Sequence, residues 1–128
     1  MQLNHADLQV SNVPETAAFL ERHFDFEIQT NRNSAAVIVL SDRRGFVLVL
    51  QRKKDDAETY PAGFHIGFRV DDVAIVLEKR THLLESGVEH VGDILENNRG
   101  VMFYFHLPGD ILCEVSCPKP LPVAPSRA

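Results

Sequence analysis

The sequence predicts an α+β protein built from two βαβββ modules whose sheets pair into one curved half-barrel, with the helices outside. Three observations predict it. The stretch Phe64–Val70 alternates as a strand does, with Phe64, Ile66, Phe68 and Val70 on one side and His65, Gly67 and Arg69 on the other. The same arrangement stands 60 residues earlier: His5-Ala-Asp-Leu-Gln-Val10-Ser-Asn-Val13 matches His65-Ile-Gly-Phe-Arg-Val70-Asp-Asp-Val73 at the histidine and at both valines. Each copy is followed by a helical stripe and then by short apolar runs. A spacing this long, present only twice, indicates duplication of a whole module rather than a solenoid.

Taken in order, Leu3–Val10 is the first strand, with Leu8 and Val10 on one face and His5, Asp7 and Gln9 on the other. Asn12 followed by Glu15 has the form of a capping box, and Pro14 fits a first turn whose amides lack internal partners. Val13, Ala17, Leu20 and Phe24 then form one amphipathic stripe. Asp25–Gln29 leads into a short strand, and Ala35–Leu40 and Phe46–Gln51 read as a hairpin around Ser41–Gly45.

Residues 52–62 are charged and aperiodic and end beyond a proline, as a solvated linker would. The second module repeats the plan. Asp71 or Asp72 caps a helix carrying Val73, Val76, Leu77, Leu83 and Leu84, which stops near Gly87. Strands are expected at Val88–Val91, Val101–Leu107 and Ile111–Cys117, with Pro108-Gly109 at the centre of a type II turn. The organisation is one domain over 1–117 (module one 1–51, linker 52–62, module two 63–117) and a proline-rich tail over 118–128, expected to be extended and loosely held.

Composition narrows the function. A net charge of −5 and no basic cluster larger than Arg52-Lys53-Lys54 argue against a nucleic-acid partner. No apolar run reaches the roughly 20 residues that span a bilayer, and the N-terminus lacks a signal peptide's regions, so a cytoplasmic protein with no membrane partner is expected. Cys113 and Cys117 share a strand, which puts their Cα atoms roughly 13 Å apart, too far for a disulfide. They read as structural thiols in a reducing compartment, with a weak metal signal as the other option.

The chemistry gathers on the polar strand faces. His5, Asp7 and Gln9 lie on the first strand, and His65, Gly67 and Arg69 on its repeat. The last strand offers Leu112, Glu114 and Ser116, and its neighbour Met102, Tyr104 and His106. Two repeat-related histidines and Glu114 have the composition of a 2-His-1-carboxylate set, which suits zinc, nickel, manganese or ferrous iron and leaves positions open for substrate. A histidine on a polar strand face is also, and more often, simply solvated or hydrogen-bonded. Tyr104 is read as an acid or substrate donor, or as a strand aromatic. Arg69 is read as an anion-orienting residue, or as the partner of Asp7 or Glu114. His106 fits the rim, and His23, His82 and His90 fit the surface.

Several motifs together resemble the vicinal oxygen chelate superfamily, which includes glyoxalase I, fosfomycin-modifying thiol transferases, extradiol dioxygenases and bleomycin-resistance proteins. They are Asn4-His5, Val10–Val13, Ala18-Phe19-Leu20, Phe24-Asp-Phe26, Gly63–Val70, and Met102 through Glu114. The resemblance covers nearly the whole chain before the tail and implies the fold more specifically than the reaction. It implies metal positions at His5, near Val49, at His65 and at Glu114. Val49 departs from the pattern: glyoxalase I has there a glutamate that binds metal and takes the proton, and valine does neither. Fosfomycin-type enzymes use two histidines and a glutamate, with a tyrosine where Tyr104 stands. No counterpart is identified for their phosphonate-binding lysine, their potassium loop or their arginine after the last strand. Extradiol dioxygenases share the triad, and the tyrosine ten residues before the glutamate, but their extra catalytic histidine has no identified counterpart either.

The expected function is that of a small-molecule metalloenzyme, a lyase, transferase or dioxygenase other than glyoxalase I. His5, His65 and Glu114 would hold one divalent cation as Lewis acid, and Tyr104 and Arg69 would orient substrate. The alternative is a non-catalytic, bleomycin-resistance-like binding protein. A third option is a structural or regulatory dimer with unused ligands. A homodimer is expected.

Overall fold

A computed structural model of the chain describes residues 1–109 and 111–120. The tail expected over 118–128 lies outside the described residues from 121 onward. The first module consists of β1 (His5–Val10), α1 (Val13–Phe24), β2 (Glu27–Ile28), β3 (Val37–Ser41) and β4 (Val47–Arg52). The second consists of β5 (His65–Arg69), α2 (Val73–Glu85), β6 (Leu95–Asn97), β7 (Gly100–His106) and β8 (Leu112–Pro118). The sheets run β1-β4-β3-β2 and β5-β8-β7-β6, one strand order used twice, which is the α+β, βαβββ plan.

The chain divides into two compact units: Met1–His65 with His106–Leu112, and Ile66–Phe105 with the chain from Cys113 on. In the first, β1 and β4 are parallel, and β4 and β2 both pair antiparallel with β3. Leu8, Val10, Ile38, Leu40, Leu48 and Leu50 form the buried face, and α1 lies along β2, β3 and β4. Asn12 caps α1, its side-chain oxygen accepting from the Glu15 amide at 3.1 Å. The stripe is rotated slightly from the expected one. Val13, Thr16, Ala17, Leu20 and His23 are buried, whereas Phe24 is half-buried. His23 is therefore an interior residue, tilted against Phe19 at 4.7 Å, because position i+10 of this helix faces the sheet side.

The turn between β7 and β8 belongs to this first unit. Thr16 Oγ1 donates to the Pro108 carbonyl at 3.2 Å, Leu107 N–H to the Ile111 carbonyl at 2.9 Å, and Leu107 and Ile111 are buried. Gly109 has φ +94, the left-handed conformation that the third position of a type II turn requires.

In the second unit, Asp72 caps α2 by accepting from Ala74 N–H at 2.9 Å. The helix closes through Ser86 into Gly87 at φ +78. Val76, Leu83, Phe103, Phe105, Cys113 and Val115 are buried, and so is Met102, which pairs with Leu95 rather than standing on an open face. The strand expected at Val88–Val91 is instead β6, seven residues later in the chain. His90 takes a left-handed φ of 58 that interrupts any strand there. What remains of the pairing is Gly92, whose N–H donates to the Tyr104 carbonyl at 2.7 Å while its carbonyl accepts from Arg80 Nε at 2.7 Å.

Candidate metal centre and its surroundings

His5 opens β1 and is exposed. Its Nδ1 lies 2.7 Å from Asn4 Oδ1. An amide oxygen only accepts, so Nδ1 carries the proton and Nε2 the lone pair. His65 opens β5 and repeats the arrangement: its Nδ1 lies 3.0 Å from the Gly63 carbonyl, which again fixes the proton on Nδ1. A hydrogen bond of this type, to the nitrogen that does not ligate, orients metal-binding imidazoles. In both repeat-related histidines Nδ1–H is thus turned to a local acceptor. Local sequence accounts for this, because each acceptor lies one or two residues before its histidine.

The strand beside His5 offers no fourth donor. The β1/β4 register sets Val47 opposite His5 and Val49 opposite Asp7. With Val37 and Val39 on β3, these valines share the open face of this sheet with His5, Asp7, Gln9, Ser41 and Gln51. Asp7, read from sequence as a possible partner of Arg69, accepts from Gln9 Nε2 at 2.7 Å and from Gln51 Nε2.

In the second unit Glu114 sits half-buried in mid-β8 and Tyr104 in β7. The Tyr104 hydroxyl donates to the Glu114 carboxylate. That hydrogen bond raises the phenol above its ordinary range, and burial and the Glu114 charge add to the effect. Arg99, on the β6–β7 turn, opposes them through its own hydrogen bond and charge. Sequence reasoning missed Arg99; its only signal was the Asn97-Asn-Arg-Gly100 turn just before a strand that carries a candidate tyrosine. Gly67 of β5 lies beside β8, where a Cβ would make only ordinary van der Waals contact, 3.9 Å from the Glu114 carbonyl oxygen.

Among the described residues, the ion pair found for Arg69 is with Asp71 rather than Asp7 or Glu114: its Nε is 3.7 Å from Asp71 Oδ1, and the two side chains are 73% and 81% exposed, so the pair contributes little. His106 is half-buried. Cys113 is buried and Cys117 half-buried, both as thiols. Among the described residues, no group of three or more His, Cys, Asp or Glu side chains is assembled that could hold a metal ion. By donor type alone, two imidazoles and a carboxylate suit a divalent cation.

Comparison with known proteins yields one family. The profile described as "Glyoxalase/Bleomycin resistance protein/Dioxygenase superfamily" matches residues 2–111, a span that includes His5, His65 and Tyr104 and stops short of Glu114. No curated protein matches the chain. Among solved structures, one described as a possible glyoxalase from Bacillus cereus is 30% identical, covers 91% of this chain and 99% of its own, and superposes with a TM-score of 0.78. Lactoylglutathione lyase from Agrobacterium tumefaciens is 17% identical over 90% of this chain and 92% of its own, with a TM-score of 0.72. The fosfomycin resistance protein FosX from Listeria monocytogenes is 20% identical over 91% and 92%, with a TM-score of 0.75. The last two likenesses bear on fold alone.

Proposed function

The chain belongs to the glyoxalase/bleomycin resistance protein/dioxygenase superfamily, and from that premise we propose that it is a small-molecule metalloenzyme working as a homodimer. His5, His65 and Glu114 would hold one divalent cation (zinc, nickel, manganese or iron). When bound, the cation would serve as a Lewis acid toward two neighbouring substrate oxygens. The observation that carries this reading is the matched pair of histidines, each with Nδ1–H donated to a local acceptor and Nε2 presenting the lone pair.

The other residues have roles that follow from their chemistry. Tyr104, held protonated by Glu114, is a hydroxyl donor for a substrate oxygen. Arg69, solvated and only loosely paired with Asp71, orients an anionic group. With valine at both positions of β4 beside His5 and Asp7, no carboxylate there removes a proton, and the reaction is not that of glyoxalase I.

The test is the metal content of protein purified without chelator, alongside His5→Ala, His65→Ala and Glu114→Gln. One equivalent of metal in the parent, lost in all three variants, is the expected result. A metal-free parent that does not take up added cation would overturn the reading. It would favour a second one, a bleomycin-resistance-like protein that sequesters an apolar or aromatic ligand, toward which Val37, Val39, Val47 and Val49 on the open face of the first sheet would contribute apolar surface.

A further inference from the structure

Tyr60 lies in the connection that the sequence suggests is only a solvated linker. Its hydroxyl accepts from the Gln9 backbone N–H at 2.8 Å and donates to the Gln9 carbonyl at 3.1 Å. β1 is an edge of its sheet. The Val10 carbonyl points inward, accepting from Lys53 N–H at 3.0 Å, so the backbone groups of Gln9 point outward from the edge. One phenolic oxygen there takes the place of a neighbouring strand.

The same side chain is tied to the turn that delivers His65. The Tyr60 ring stacks on Phe64 with centroids 4.7 Å apart and planes 19° from parallel. Phe64 N–H donates to the Pro61 carbonyl at 3.0 Å, closing the turn. The Gly63 carbonyl inside that turn is the acceptor for His65 Nδ1. A short chain of contacts thus runs from the strand that carries His5, through the Tyr60 hydroxyl and ring, to the group that sets the His65 tautomer. All of it lies within one compact unit.

We infer that Tyr60 is a positioning residue for His65 as a metal ligand, holding the turn before it against the strand of His5. The inference rests on the metal reading above. Tyr60 touches no metal or substrate itself. It acts through Gly63 and His65, as outer-shell groups around metal sites do.

Tyr60→Phe removes both hydrogen bonds and keeps the ring. Cobalt(II) binding, followed by its visible absorption and by competition with a chelating dye, should weaken roughly 10- to 100-fold in this variant. In metal-free protein labelled with ¹⁵N, His65 should shift from the Nδ1–H tautomer toward a mixture while the melting temperature stays within a few degrees of the parent. Should Tyr60→Phe fail to fold, Phe64→Leu removes the stack and keeps the hydroxyl, and a smaller weakening in the same direction is expected.

Parent-like cobalt affinity in Tyr60→Phe, or weakened affinity with the His65 tautomer unchanged, would overturn the positioning role and leave the metal reading standing. A parent that binds no cobalt would overturn both.

Discussion

The two modules share strand order, strand-to-helix spacing and an Asx helix cap, yet they use their helices differently. α1 buries five side chains along one face. α2 buries only Val76 and Leu83, while Val73, Leu77 and Leu84, on the adjoining stripe, stay 40–45% exposed. The leading strands differ in the same sense: Leu8 and Val10 of β1 are buried, whereas Ile66 and Phe68 of β5 are half-buried. Duplication therefore preserved the topology without preserving the depth of packing. Strand order depends on which edges pair, a property of the whole module, whereas burial depends on how wide an apolar stripe each neighbour covers.

The comparison breaks or sharpens at particular residues. Leu20→Ala, at a fully buried position of α1, should cost about 2–5 kcal/mol in urea unfolding. Leu83→Ala, equally buried in α2, belongs in the same range. A cost under about 1 kcal/mol at Leu83 would show that the second helix contributes far less than its burial implies.

Next come the turn glycines. Gly100 has φ +137, and a Cβ there would stand within 3 Å of the Cys117 carbonyl oxygen and of Pro118 Cα. Gly100→Ala should combine backbone strain with a clash against main chain and cost roughly 2–4 kcal/mol. Gly45, in the β3–β4 turn of the first module, has φ +88 and open space around it. Gly45→Ala should cost only the left-handed conformation, about 1–2 kcal/mol.

The caps should come out alike. Asn12→Ala and Asp72→Ala each remove one side-chain acceptor from a first-turn amide, and about 1 kcal/mol is expected from each by thermal unfolding.

Tyr104 offers a pH test confined to the second module. Its phenol is raised by Glu114 first and by burial second. The unfolded chain therefore releases this proton before the folded one does, and the associated stability, complete below pH about 10, is lost as pH rises through the folded-state pKa. Ultraviolet titration of Glu114→Gln should show the Tyr104 transition moving back toward the ordinary phenolic range. An unmoved transition would separate Tyr104 from Glu114. The smallest effect is expected at Leu77→Ala, within about 1 kcal/mol; a cost matching that of Leu20→Ala would show that the outer stripe of α2 is covered in solution.

Much of this was legible because the relevant physics is local. Alternation over Phe64–Val70, an Asx residue before each apolar stripe, and a histidine at the head of each repeated strand are short-range patterns. They determined both helices, the strands other than β6, and the place of a histidine at the head of β1 and of β5. What only the tertiary structure decided involves residues distant in sequence. Strand pairing aimed Asp7 at Gln9 and Gln51 and brought Arg99 and Glu114 to the Tyr104 hydroxyl. Chain reversal through the linker carried Tyr60 back 51 residues to Gln9. Helix rotation buried His23 in place of Phe24, and a left-handed His90 displaced a strand. Each of these depends on which groups meet across a gap in the chain, and periodicity in one sequence carries no record of that.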